Sequence, residues 1–151
     1  MQAILSPLAG RLSDRIEPRL ISSTGMGLIT AGLILFVFLN AETPSAFIIA
    51  SLVVIGLGLA FFVSPNTNAV MSSVPKTAYG VASATLGTMR QLGMVLSMGV
   101  AMMMFAMYMG SVRINLDNYP AFQESMRASF IIFAILCFGG IFASLARGKV
   151  R

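Results

Sequence analysis

Four long stretches of this chain hold almost no charge. They run from Leu20 to Ala41, from Ser45 to about Ser64 (uncharged on to Pro75), from Gly80 to Gly110, and from Ala128 to Ala146. The third is broken by a single charge, Arg90. A hydrocarbon layer about 30 Å thick is crossed by about 20 helical residues, so each stretch is long enough to span it. None alternates apolar and polar residues as a barrel wall would. The expected fold is therefore an all-α integral membrane bundle, with spans at approximately 20–41, 45–65, 80–109 and 127–146. Met1 to Ala9 is apolar too, but nine helical residues reach only about 13 Å. That segment reads as the end of a fifth helix, with Pro7 and Gly10 marking its exit.

Composition closes the soluble alternative. Hydrophobic residues make up 57% of the 151 and charged residues 10%, against about 25% charged in a typical soluble domain. Lipid must replace water over most of the surface. His and Trp are absent. The commonest general base and the commonest zinc ligand are thereby removed, so an enzyme is disfavoured and no cofactor or metal is expected. Cys137 is the single cysteine and makes no intrachain disulfide. The thioethers of Met102, Met103, Met104, Met107 and Met109 could bind Cu(I), but flexible packing is the far commoner use of methionine. The pI of about 10.2 does not point to nucleic acid as a partner, because the basic residues flank apolar runs instead of clustering. The first residues lack the basic region of a signal peptide.

Four spans force the intervening loops to alternate sides. Gly10–Arg19, Asn66–Tyr79 and the tail share one side and hold seven Lys or Arg, while the other side holds two, Arg113 and Arg127. The positive-inside rule then places the first group, the C-terminus included, in the cytoplasm of a multi-pass cell-membrane protein.

Three constellations could carry function. The first is Gly10-Arg11-Leu12-Ser13-Asp14-Arg15, followed by Pro18-Arg19. Gly10 allows a tight turn, and the Asp14 carboxylate can engage a helix N-terminus near Pro18 or in a neighbour. Arg11, Arg15 and Arg19 can pair with carboxylates or lipid phosphate. A plain solvated loop that only sets topology has the same charges. The second constellation ends the second span. Gly56 and Gly58 allow close helix approach, and Pro65 kinks or ends the helix. Ser64, Asn66 and Asn68 then offer polar groups at the cytoplasmic mouth.

The third constellation is Arg90-Gln91, with Gly87 and Gly93 beside it. Arg90 lies about 15 Å past Gly80 along a helix. A charge at that depth costs at least about 2.5–3.5 kcal/mol. It must face protein or a wet cavity, or else snorkel to the headgroups. No Asp or Glu in the other spans can pair with it, which leaves water, a backbone carbonyl or an absent partner. Ser83 and Gly87, then Gly93 and Ser97, are four apart and suit backbone-to-backbone packing.

In residue order, GRLSDRIEPR resembles the loop motif of the major facilitator superfamily, roughly Gly-x-Leu-Ala/Ser-Asp-Arg-x-Gly-x-Arg. Gly10, Leu12, Ser13, Asp14, Arg15 and Arg19 match, and Glu17 stands where glycine is usual. SPNTNAVMSSVP followed by YGVASATLGTMRQLGMVLS is similar to the last third of the 14-span drug:proton antiporter branch. The resemblance covers essentially the whole chain. It implies that these residues are the end of span 10 and spans 11 to 14 of a carrier that exports amphipathic organic compounds against proton influx. It also implies that Asp14 is a latch carboxylate steadied by Arg15, and that Arg90 and Gln91 line or brace a cavity. No Asp, Glu or His lies within the four spans. A proton-coupling carboxylate would then belong to a missing N-terminal half, and the chain alone would be inactive. The other reading is a non-transporting membrane subunit, or a truncated product, that only packs against a partner carrier half.

Overall fold

A computed structural model of the chain describes residues 18–110 and 119–146. Among these residues the architecture is all helical. Helix α1 covers Pro18–Val37, α2 Ser45–Ser72, α3 Tyr79–Met109 and α4 Tyr119–Ala146, with one 3-10 turn at Lys76–Ala78. Each helix is long and apolar enough to cross a membrane. Helices are the form such sequences take in lipid, because every backbone N–H and C=O then finds its partner within the segment.

Three boundaries differ from the sequence expectation, the first being that α1 ends at Val37 and not at Ala41. Helix α2 does not stop at Pro65 but continues to Ser72 with the proline inside it. Asn66 and Asn68, expected in a loop, are therefore helical. A proline within a membrane helix is tolerated where neighbours and hydroxyl groups take up the disturbed backbone. Helix α4 begins at Tyr119, about two turns before the apolar run at Ala128. The extra turns are amphipathic and carry Gln123, Glu124 and Arg127.

The ends of the helices are held by local chemistry. After α1, the backbone N–H of Thr43 donates to the Asn40 carbonyl at 3.0 Å, and the Asn40 N–H donates to the Thr43 hydroxyl at 2.8 Å. Helix α3 ends at Gly110, whose φ of 61° lies in the left-handed region that a side chain disfavours. Its N–H still donates to the Ala106 carbonyl at 3.0 Å.

Helices α1 and α2 run antiparallel and touch through glycine. A Cβ on Gly58 would stand 2.7 Å from the Gly25 carbonyl oxygen and 2.8 Å from the Ile29 nitrogen. One on Gly25 would stand 2.7 Å from the Phe62 nitrogen. Gly32 meets Ile55 two turns further along. Helix α4 lies antiparallel along another side of α1. The Ser23 hydroxyl donates to that of Ser144 at 3.1 Å, Gly140 meets Met26, and the rings of Phe36 and Phe130 are 5.2 Å apart. Near the turn after α1, Arg127 Nε donates to the Val37 carbonyl at 3.0 Å. Gln123 Nε2 donates to the Leu39 carbonyl at 3.0 Å and to Asn40 Oδ1 at 2.8 Å. These bonds satisfy carbonyls at the end of α1 that no further helical turn could reach.

Helix α3 is the outlier. Phe105 stacks near Phe122 at 5.7 Å and ties its last turns to α4. Among its residues only Met104 and Met109 are buried, whereas 33% of Leu20–Val37 in α1 is buried.

Replacing Gly58 by Ala is expected to destabilise the α1–α2 pair by about 1–3 kcal/mol, because backbone leaves no room for the methyl group. Gly56→Ala, which enters open space, should stay within about 0.5 kcal/mol of the parent. Denaturant titration of the chain in detergent micelles compares the two.

Candidate functional site

The most distinctive polar contact in the bundle forms around the proline of α2. Pro65 lacks an N–H and cannot donate to the carbonyl of Phe61, which breaks the ladder at that rung. Pro65 itself is fully buried. Two residues on, the Thr67 hydroxyl donates to the Val63 carbonyl at 2.8 Å. The same oxygen accepts from Arg90 Nη2 at 2.7 Å. The guanidinium of α3 is thus connected, through one hydroxyl, to the backbone of α2 beside its proline.

Arg90 sits about 16 Å along α3 from Tyr79, while Thr67 is only about 8 Å from the end of α2. The side chain therefore leans back toward the N-terminus of its own helix, as helical side chains do. This corrects the expectation for its partner: a threonine hydroxyl takes it, a group the sequence reading did not consider. A hydroxyl is a neutral acceptor and leaves the positive charge uncompensated. Arg90 is exposed, and among the described residues no carboxylate pairs with it.

The surroundings of Arg90 are open. Every residue from 87 to 99 is exposed, including Gly87, Gln91 and Gly93. A Cβ on Gly87, Gly93 or Gly56 would meet nothing within 4 Å. Large apolar side chains share the face, with Met89 61% and Leu96 68% exposed. Of the described glycines singled out from the sequence, only Gly58 packs against a helix of this chain. Gly25, Gly32 and Gly140 also do so and were not singled out. The seven-residue spacing of Gly25 and Gly32, two turns on one face, was a readable signal.

The remaining expected residues are dispersed. Ser64 and Asn66 are half-buried and Asn68 is exposed, all three within α2. Gly10, Leu12, Asp14 and Arg15 lie outside the described residues. Arg19 falls in the first turn of α1, and its side chain lies outside them as well. Among the described residues no cluster of His, Cys, Asp or Glu could hold a metal ion. What this site offers is one cation bonded to a proline-containing helix and a bare glycine-bearing face. Such features suit packing and contact between helices.

Comparison with known proteins agrees with that character. The family model of the Major Facilitator Superfamily matches residues 1–150. The chain belongs to this superfamily. Among curated relatives, the riboflavin transporter RibZ of Clostridioides difficile is 28% identical over 93% of this chain and 31% of its own. The multidrug resistance protein Stp of Mycobacterium tuberculosis is 32% identical over 65% of this chain and 18% of its own. The multidrug efflux pump LfrA of Mycolicibacterium smegmatis is 30% identical over 62% and 19% respectively. The chain thus spans about a third or less of the relatives it matches. No solved structure matches it significantly.

A double-mutant cycle tests the Arg90–Thr67 contact of this superfamily member. Arg90→Ala and Thr67→Val are expected to be coupled by about 0.5–1.5 kcal/mol in micelle unfolding, and Thr67→Ser should retain the coupling.

Proposed function

We propose that this chain is the C-terminal part of a secondary active carrier that exports amphipathic organic compounds in exchange for protons by alternating access. Membership of the superfamily supports transport, and similarity to the multidrug resistance protein Stp and the multidrug efflux pump LfrA favours multidrug efflux. The single observation that carries the reading is the open face of α3. A glycine-bearing helix face with a charge inside the span is costly in lipid and suited to a protein neighbour or a wet cavity. Helices of an N-terminal carrier half would cover it, and Arg90 and Gln91 would then border the substrate path. Pro65 gives α2 a place to bend as the halves rock. The Arg90–Thr67 bond would hold that bend from the side.

Under this reading the Gly10–Arg19 loop is cytoplasmic, as are the 66–79 region and the C-terminus. Asp14 latches one access state, with Gly10, Leu12, Arg15 and Arg19 shaping the loop. Because the runs 20–41, 45–65, 80–109 and 127–146 hold no carboxylate or histidine, and Glu124 lies before the last of them in the first turns of α4, the proton site is assigned to the other half. A non-transporting subunit is the alternative: it too would cover the open face, but it would co-purify with a carrier half and add no efflux.

Two measurements in vesicles with an imposed pH gradient separate these readings. The 151-residue chain alone is expected to give no ethidium efflux, and clear antiport from it would refute the division of labour. In the complete carrier, Arg90→Ala should lower efflux about tenfold or more. Arg90→Lys should recover part of it, since lysine keeps the charge but loses the planar fork. Unchanged efflux in both variants removes Arg90 from the transport path.

A further inference from the structure

Another face of the bundle carries a different feature, independent of the transport reading. A groove of about 400 Å³ runs between α1 and α4. Its walls are Thr30, Ile34 and Phe38 on one helix and Ile131, Ile135 and Phe138 on the other, with Val37 and Ala134 between them. The only hydroxyl is turned away from it, because Thr30 Oγ1 donates to the Met26 carbonyl at 2.9 Å. The groove is therefore a hydrocarbon surface with no polar anchor along its length.

One end of it is different. Val37 lines the groove, and Arg127 Nε donates to the Val37 carbonyl. The guanidinium is thus bonded to a groove-lining residue one turn before Ile131, where α1 stops and the apolar run of α4 begins, and it also borders the neighbouring hollow lined by Phe36, Asn40 and Gln123. A guanidinium carries five N–H donors, and this bond uses one. Arg127 is exposed, and neither Glu124 nor Glu42, the described acidic side chains at this end, pairs with it. The distance from Ile131 to Phe138 along α4 is about 11 Å. Half of a hydrocarbon core is about 15 Å, so the groove is short enough to fit within one leaflet with Arg127, where the charge-free run of α4 begins, at headgroup level.

We propose that this groove binds one acyl chain of a membrane glycerophospholipid, whose phosphodiester is held by Arg127. The pairing is specific in its chemistry. An apolar chain alone would fill the groove, but only a lipid bearing phosphate at the same end meets the guanidinium in its preferred bidentate geometry. A neutral acylglycerol or an amphipathic drug lacking phosphate leaves that cation unmatched.

The absence of tryptophan makes a direct test simple. Phe138→Trp places a reporter in the groove, and Leu136→Trp places a control at the same depth outside it. Each variant is reconstituted in phosphatidylcholine vesicles containing a minority of dibrominated phosphatidylcholine or dibrominated diacylglycerol, which quench tryptophan on contact. At Leu136→Trp the two quenchers should act alike. At Phe138→Trp the phospholipid should be favoured about two- to fivefold, in line with one interfacial arginine, and Arg127→Gln should abolish the preference. Ile135→Trp, whose parent side chain is 65% exposed, repeats the measurement should the first reporter disturb packing. Equal quenching by both lipids in the groove, a preference that survives Arg127→Gln, or a groove reporter that no bilayer quencher reaches would each overturn the proposal. The last result would mean that protein, not lipid, covers the groove.

Discussion

Between apolar helices in a bilayer, burying one side chain against another gains little over burying it against lipid. Association has to come from contacts that lipid tails cannot make: close backbone approach and hydrogen bonds across the interface. In this chain the close approach is at Gly25 and Gly58. Each glycine lies so near the other helix that a Cβ would fall inside van der Waals contact of backbone atoms. This crossing sets the spacing of α1 and α2. Helix α1 then offers a second face to α4, where Gly140 and the Ser23–Ser144 bond repeat the same logic with a smaller residue and a polar pair.

The hydroxyl groups show how the interior tolerates polarity. Ser51, Ser125 and Ser129 are buried, yet each donates to a carbonyl one turn back in its own helix. Among the described residues no buried polar side-chain atom lacks a partner. Serine and threonine can therefore fill tight contacts without needing a mate on the neighbouring helix. Thr67 departs from this pattern, because its hydroxyl both donates to its own helix and accepts from another.

Much of the fold was legible because lipid imposes simple rules: length, apolarity and charge-free runs identify helices with little help from context. The interior of α2 was harder to read. Proline ends most helices in water, where freed carbonyls are easily solvated, so the sequence alone leaves a kink or an end at Pro65 and puts the close of the span there. In an apolar setting the helix continues, since an exposed break would leave several backbone groups without partners. The site was less legible than the fold. Arg90 stood out as a lone charge, but its partner is a threonine, a residue type too common in membrane helices to signal anything alone. Glycine sorted poorly for the same reason. Gly58 and Gly56 look alike in sequence, yet they lie on opposite sides of α2, and only geometry tells which side a neighbour occupies.

The division of the glycines into used and unused bears on how the parts of this superfamily member cooperate. Gly25, Gly32, Gly58 and Gly140 join α1, α2 and α4 into a unit whose contacts are made within the chain. Gly87 and Gly93 lie on the one helix that this unit scarcely covers. Helix α3 is held mainly by its last turns against α4 and by Arg90 against Thr67. A helix fastened near one end and tied once near its middle can tilt without disturbing the tightly packed trio. Its tie attaches beside Pro65, where α2 is itself least constrained by its own hydrogen bonds. The tie and the missing rung of the α2 ladder therefore lie within two residues of each other. The rest of α2 stays fixed by its glycine contact with α1.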